Sequence, residues 1–468
     1  MLQPPAASAP GPLLITGARV LDPASRTDRV ADVAVENGVI AAIGPDLPRS
    51  PASGPGGRVI NAEGCLLTPG LIDPHVHLRE PGREEAETIA TGTAAAVAGG
   101  FTTVCCMPNT DPPIDDDSVV EYIYKQAELF GRCRVFPVGA VSRGRKGEEL
   151  AEIGLMARAG GGGAVGFSDD GDCVASAGLM LRALNYIKPT GRALMQHCQE
   201  PTLTRGASMH AGTVSMRLGL GGWPRVAEEI IIERDVRLNR SVGCRYHVQH
   251  ISSGGSVEIV RRARADGQPV TAEASPHHLL LTHEEVERGG SGGYWTAAKM
   301  NPPLRERSDI NAILEGIADG TITVLATDHA PHTDESKELE FEAAPFGIIG
   351  LETALALYIE ALITPGVIGW MRLIEMMTVE PARLCGLDAR GLGRLAVGGP
   401  ADITLIDPDA EWTISLADLA GKSRNTPFLG RRVRGRAVGT IVGGVVRMLR
   451  GAGGTVAAMP TAAQPAGA

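Results

Sequence analysis

The chain has 468 residues, 43% hydrophobic and 21% charged, with a formal net charge of −10. The apolar share excludes disorder of the whole chain, and no apolar run reaches the ~18 residues of a membrane span. The negative charge excludes a general binder of nucleic acid or anionic membranes. Aromatic residues make up only 4%, against 60 Gly and 32 Pro, so the fold is turn-rich with small side chains inside. Lysine is confined to positions 125, 146, 188, 299, 337 and 422, so arginine supplies nearly all the positive charge. An anionic substrate, repelled by the overall field, therefore needs a local arginine. The eight cysteines form no CxxC pair and no zinc-ribbon spacing, which reads as a reduced, cytoplasmic protein.

Residues 1–12 are rich in Pro and Ala and lack the basic and apolar regions of a signal peptide, so a disordered arm is predicted. Residues 13–67 read as short strands, and the Asn37-Gly38 step between two apolar runs is a hairpin signal. Residues 68–393 alternate short apolar runs with helical patterns. The predicted strands are 70–77, 102–107, 134–138, 164–168, 193–197, 245–250, 269–273 and 323–328. Helices are predicted between them, among them 85–98, 118–130, 223–239 and 310–319. Eight strands alternating with helices read as a (β/α)8 TIM-like barrel. The four glycines at 160–163 lack the Gly-Lys-Ser/Thr ending of a phosphate loop and read as a turn. Residues 289–293 read as an inserted loop. Strand character returns in 394–450, which with 13–67 makes a small β-sandwich domain built from both ends of the chain. Residues 451–468 are rich in Gly, Ala and Pro, and a disordered tail is predicted.

A barrel of this kind carries its chemistry where the strands end. His75 and His77 close the first strand, on one face by their spacing of two. Asp170 follows the fourth strand, His197 ends the fifth, His250 ends the sixth and Asp328 ends the eighth. Four imidazoles and two carboxylates converging on one rim suit one zinc ion or a bridged pair. A lone His is usually structural, and His277, His278 and His283 are read that way. His247, three residues before His250, is expected on the opposite strand face. His210 has no assigned role, and His329 is expected to support its neighbour Asp328. Cys198 alternates away from His197 and is not read as a nucleophile.

The segment Asp73-Pro74-His75-Val76-His77-Leu78-Arg79, within 70–82, resembles the signature of class I dihydroorotases in the amidohydrolase superfamily. So do Met107-Pro108-Asn109-Thr110, Phe167-Ser168-Asp169-Asp170-Gly171, Asn301-Pro302-Pro303-Leu304-Arg305 and Thr327-Asp328-His329-Ala330-Pro331-His332. The resemblance runs from about Leu14 to Arg447. It implies that His75, His77 and Asp328 bind one zinc ion and that His197 and His250 bind a second. It also implies a bridging acid, taken as Asp170 with Asp169 as the alternative. Many amidohydrolases bridge their metals with a carboxylated lysine. No lysine lies between Lys146 and Lys188, so the fourth strand supplies none, unlike typical hydantoinases.

The implied reaction interconverts N-carbamoyl-L-aspartate and L-dihydroorotate in pyrimidine biosynthesis, with Asp328 as general base. Arg79 is expected to bind the substrate carboxylate from the same strand face as His77. His77, Leu78, Asn109, Asn301, His332, Phe346 and Gly347 complete the implied pocket. The resemblance further implies a homo-oligomer and leaves association with aspartate transcarbamoylase open. Two other readings stay open. One is a related cyclic amidase acting on hydantoins, dihydropyrimidines or allantoin. The other is a non-catalytic dihydroorotase-like partner of the transcarbamoylase. Such partners lack metal ligands, whereas all six are present here.

Overall fold

The computed structural model describes residues 11–49, 52, 56–289 and 294–451. The predicted arm at 1–12 and tail at 451–468 therefore fall outside the described residues, save 11, 12 and 451. Of the loop at 289–293, only Gly289 is described. Five strands open the chain: β1 (Leu13–Asp22), β2 (Thr27–Glu36), β3 (Val39–Gly44), β4 (Arg58–Asn61) and β5 (Leu66–Pro69). The β2–β3 turn is Asn37-Gly38, with φ of 52° and 80°, a left-handed pair that the tight hairpin needs.

Eight parallel strands follow: β6 (Leu71–Val76), β7 (Phe101–Cys106), β8 (Arg134–Pro137), β9 (Gly166–Phe167), β10 (Ala193–Gln196), then, after a short side ladder of β11 (Met209–His210) and β12 (Gly222–Trp223), β13 (Arg245–Val248), β14 (Val270–Ala274) and β15 (Val324–Leu325). They pair as two arcs, β6-β7-β8 and β9-β10-β13-β14-β15. Single parallel bridges, Gly139↔Phe167 and Val76↔His329, join the arcs into a ring. Every predicted barrel strand is present, though each ends before or near the polar residue expected to close it.

Three helix starts differ from the sequence reading by three residues or more, the one expected at 310 lying at Arg307. The first runs Ile89–Ala98, because Thr88 caps it by accepting from the Thr91 backbone N–H. The helix expected from 223 runs Val226–Val242, because Trp223 is held in β12 against His210.

The last strands, β16 (Ile403–Thr413), β17 (Arg432–Val442) and β18 (Val445–Leu449), return to the opening sheet. Strand β16 pairs antiparallel with β5, and the sheet runs β18-β17-β16-β5-β1-β2-β3 with β4 beside β1. Apolar residues such as Ile15, Val33, Leu67, Ile403 and Ile441 form its own core. Polar contacts fix it to the barrel. Asp402 accepts from Arg134 Nε at 2.6 Å and Nη2 at 3.1 Å, and the Thr404 hydroxyl donates to the Gly100 carbonyl at 2.6 Å. All eight cysteines are free. Among the described residues no helix is long and apolar enough to cross a membrane.

Candidate metal centre and active-site cavity

At the strand ends the six residues singled out by the sequence come together. His75 Nε2 lies 3.3 Å from Asp170 Oδ1 and 3.5 Å from Asp328 Oδ1. His77 Nε2 lies 3.3 Å from Asp170 Oδ2 and 3.2 Å from Asp328 Oδ1. On the other side of Asp170, His197 Nδ1 and His250 Nε2 sit 3.4 and 3.3 Å from its Oδ1 and 2.7 Å from each other. Asp170 thus stands between two histidine pairs. Asp169 faces elsewhere: it accepts from the backbone N–H groups of Val141 and Ser142 at 2.8 and 3.0 Å and from the Ser142 hydroxyl.

Backbone turns aim several of these side chains. Arg79, His250 and Asp328 have φ of 61°, 29° and 50°, in the left-handed region that non-glycine residues rarely enter. Each lies two or three residues beyond the end of its strand, at Val76, Val248 and Leu325, where the chain turns. For Arg79 this corrects the expectation of a shared strand face. Strand β6 stops at Val76, and the turn delivers the guanidinium instead.

The charges explain why the cluster suits a cation. Asp170, Asp328 and Glu273 are all buried around His75. Burial opposes charging His75, but Asp170, Glu273 and Asp328 outweigh it and hold the imidazole well above its usual range. His77 is held well below, by burial and then by Arg79. Burial raises the Asp170 carboxyl, yet His75 and the bonds to His197 and His250 bring it well below the carboxylate range. Asp328 is pushed well above that range by burial. His75 opposes the rise, and Asp170 and Glu273 add to it. His75 Nε2 and His250 Nδ1 are buried with no hydrogen-bond partner among the described residues. The sets His75–His77–Asp328 and His75–Asp170–His250 each bring three ligand atoms within 4.8 Å of one another. Nitrogen and carboxylate donors in this arrangement fit a divalent transition metal.

The supporting residues escaped the sequence reading. Glu273, fully buried, faces His75 Nδ1 at 2.6 Å and His247 Nε2 at 2.9 Å and accepts from the His250 backbone N–H at 3.2 Å. This corrects His247, which was expected on the far face of the strand. His247 faces the glutamate from within β13, and it is His250 that the turn after Val248 brings round to the same side. Gln199 faces His197 Nε2 at 3.0 Å and accepts from Asn301 Nδ2 at 3.1 Å. His278 Nε2 holds the Pro302 carbonyl at 2.9 Å. His329, expected to support Asp328, is instead buried beside Glu87 at 3.7 Å, and its Nδ1 accepts from the Gly350 backbone N–H at 3.1 Å.

Beside the cluster opens a cavity of about 320 Å³. Arg79, Asn109, Asn301, His332, Phe346 and Gly347 line it together with His77. Leu78 does not: it is buried and faces Gly92 of the helix behind. Asn109 Oδ1 pairs with His77 Nδ1 at 2.7 Å, so it both lines the cavity and orients a ring. Arg79 donates to the Pro331 carbonyl at 3.0 Å, and burial lowers it to about 10, so it stays cationic at neutral pH. His332 is pushed down to about 2 by burial and Arg79, and its Nε2 donates to the Phe346 carbonyl at 2.7 Å.

Gly347 has φ of 144°, and a Cβ there would meet Ala330 and His332 at 2.9 Å. Two of the few lysines hold this wall. Lys299 Nζ donates to the carbonyls of Phe341, Glu342 and Ala344, and Lys337 Nζ to those of Pro345 and Gly347, all within 2.6–3.1 Å. Removing the Lys337 ammonium frees two carbonyls beside the cavity. Lys337→Met is expected to raise KM about tenfold, ~1.4 kcal/mol, with a smaller change in kcat. Steady-state kinetics check this, and an unchanged KM removes the assignment.

Residues 64–256 match the family described as Dihydro-orotase-like. A dihydroorotase of Pelotomaculum thermopropionicum is 49% identical over 93% of this chain and 98% of its own. One of Solibacter usitatus is 46% identical over 94% and 98%. Among solved structures, the L-hydantoinase (dihydropyrimidinase) of Arthrobacter aurescens superposes with a TM-score of 0.79 at 26% identity, covering 93% of this chain and 95% of that one. Full-length similarity at this level, on a barrel of the same fold, establishes that the chain belongs to the dihydroorotases of the amidohydrolase superfamily.

Proposed function

We propose that this protein is a zinc-dependent dihydroorotase that interconverts N-carbamoyl-L-aspartate and L-dihydroorotate. The observation that carries the reading is Asp170 between two histidine pairs, with Asp328 and Arg79 opening onto one cavity. In this reading His75, His77 and Asp328 would hold one ion and His197 and His250 the other, with Asp170 standing between the two histidine pairs. When bound, the metal supplies a Lewis acid that acidifies water and polarises the amide carbonyl, and its charge favours the carboxylate form of Asp328.

The chain's own groups do the rest. Arg79 grips the substrate carboxylate through its guanidinium fork, and Asn109 and Asn301 present amide groups to the ring. Neutral His332 closes the pocket without adding a charge. In ring opening, Asp328 takes a proton from the attacking water as the C–O bond forms. It passes that proton to the ring nitrogen as the C–N bond breaks. Ring closure reverses these steps and releases water.

Metal analysis coupled to a dihydroorotate assay on one sample tests the proposal. Zinc-loaded, folded protein that leaves dihydroorotate intact while opening hydantoin or dihydrouracil would assign it to the related cyclic amidases. Folded protein that binds no metal and opens none of them would assign it to the non-catalytic partners. The reading places the enzyme in the cytoplasm as a homo-oligomer, and leaves its association with aspartate transcarbamoylase to be tested. Size-exclusion chromatography with and without the transcarbamoylase checks the last two.

Glu273 gives a second test. Its carboxylate orients His75 and His247, and loss of such outer support costs ~10–100-fold in metal affinity. Glu273→Gln is expected to show that loss in a chelator competition titration, and affinity within twofold of the parent rejects the role.

A further inference from the structure

A second histidine cluster lies outside the catalytic residues. We propose that His210, His283 and Glu306 form a peripheral site for a borderline divalent cation of the zinc and cobalt class. His210 ends β11, His283 opens a short 3-10 turn (His283–Arg288), and Glu306 caps the helix Arg307–Ala318. One ligand atom from each lies within 4.8 Å of the others. The two rings stand 5.1 Å apart, and His210 Nε2 is 4.0 Å from Glu306 Oε1.

Both imidazoles are buried, at 1% and 6% exposure, and His210 Nε2 and His283 Nδ1 have no hydrogen-bond partner among the described residues. Two sequestered ring nitrogens without partners are what a metal would satisfy. Glu306 uses Oε2 for Arg225 and leaves Oε1 toward His210. Its side chain is 40% exposed, which gives an entry path and room for a water ligand. Two imidazoles and one carboxylate select zinc-like ions over magnesium or calcium.

Loading the site asks one rearrangement. Arg305 Nη1 lies 3.2 Å from His210 Nδ1 and 2.9 Å from the Trp223 carbonyl. A metal on Nε2 moves the ring proton to Nδ1, and Nη1 then keeps the Trp223 carbonyl alone. The ion would tie three segments together near the substrate cavity. His283 donates its backbone N–H to the Arg305 carbonyl at 2.9 Å, four residues beyond Asn301, and the Trp223 ring packs on Phe346 at 5.9 Å.

The test uses the full chain, stripped with a chelator and dialysed against Zn2+ or Co2+, with metal per chain counted by mass spectrometry. His210→Asn/His283→Gln is expected to bind about one equivalent fewer than wild type and to keep its dihydroorotate turnover within about twofold. Equal metal counts overturn the proposal. Should that variant misfold, Glu306→Gln decides. A weakened extra equivalent supports the site, whereas wild-type affinity for it, or no extra equivalent in either protein, overturns it.

Discussion

Asp328→Asn is expected to lower turnover of dihydroorotate, in both directions, by about 10³-fold. General-base catalysis contributes ~10²–10⁴-fold, and the amide keeps the shape of the carboxylate while losing its basicity. The substitution is close to isosteric in a packed site. The carboxylate lies 3.2 Å from His77 Nε2 and 3.5 Å from His75 Nε2, so an amide oxygen can still face both rings. Metal content should therefore fall less than rate. Steady-state kinetics and metal analysis on the same preparation separate the two effects. Turnover within about threefold of wild type would remove Asp328 from the proton path.

The second large effect belongs to Arg79. It is the buried cation of the cavity, anchored by Nε on the Pro331 carbonyl with Nη2 3.4 Å from His332 Nε2. A bidentate pair with the substrate carboxylate is worth about 3–4 kcal/mol, or ~10²–10³-fold in kcat/KM. Arg79→Met keeps the apolar stem and deletes the fork. Dihydrouracil has the same ring without the carboxylate, so it gains nothing from Arg79. The ratio of kcat/KM for dihydroorotate over dihydrouracil should collapse in the variant. An unchanged ratio would assign carboxylate recognition to another group, with Arg83 or Arg145 at the cavity wall the nearest cations.

The ring and the histidines and carboxylates at its strand ends were legible because each barrel strand is a short apolar run followed by a polar residue. His75, His77, His197, His250 and Asp328 stand out against that background. The residues supporting them were not legible. Glu273 meets His75 across 198 positions of sequence, and Gln199 meets Asn301 across 102. No local spacing encodes such a meeting. Asp169 and Asp170 are adjacent and of one type, and only the turn after β9 separates their surroundings. The face of Arg79 failed for a related reason: period-two alternation stops where the strand stops, and a left-handed residue then sets the direction. Lys299 and Lys337 left one faint signal, their rarity in a lysine-poor chain.

The division of the ring into two arcs has a mechanical consequence. His75 and His77 belong to the arc of β6, whereas Asp170, His197, His250 and Asp328 belong to the other. Each approach between the first pair and those carboxylates spans a join that backbone pairing closes with one bridge. On the proposed reading, a cation held from both sides would act as a clasp, and the barrel rim would keep its shape partly through the residues that hold it.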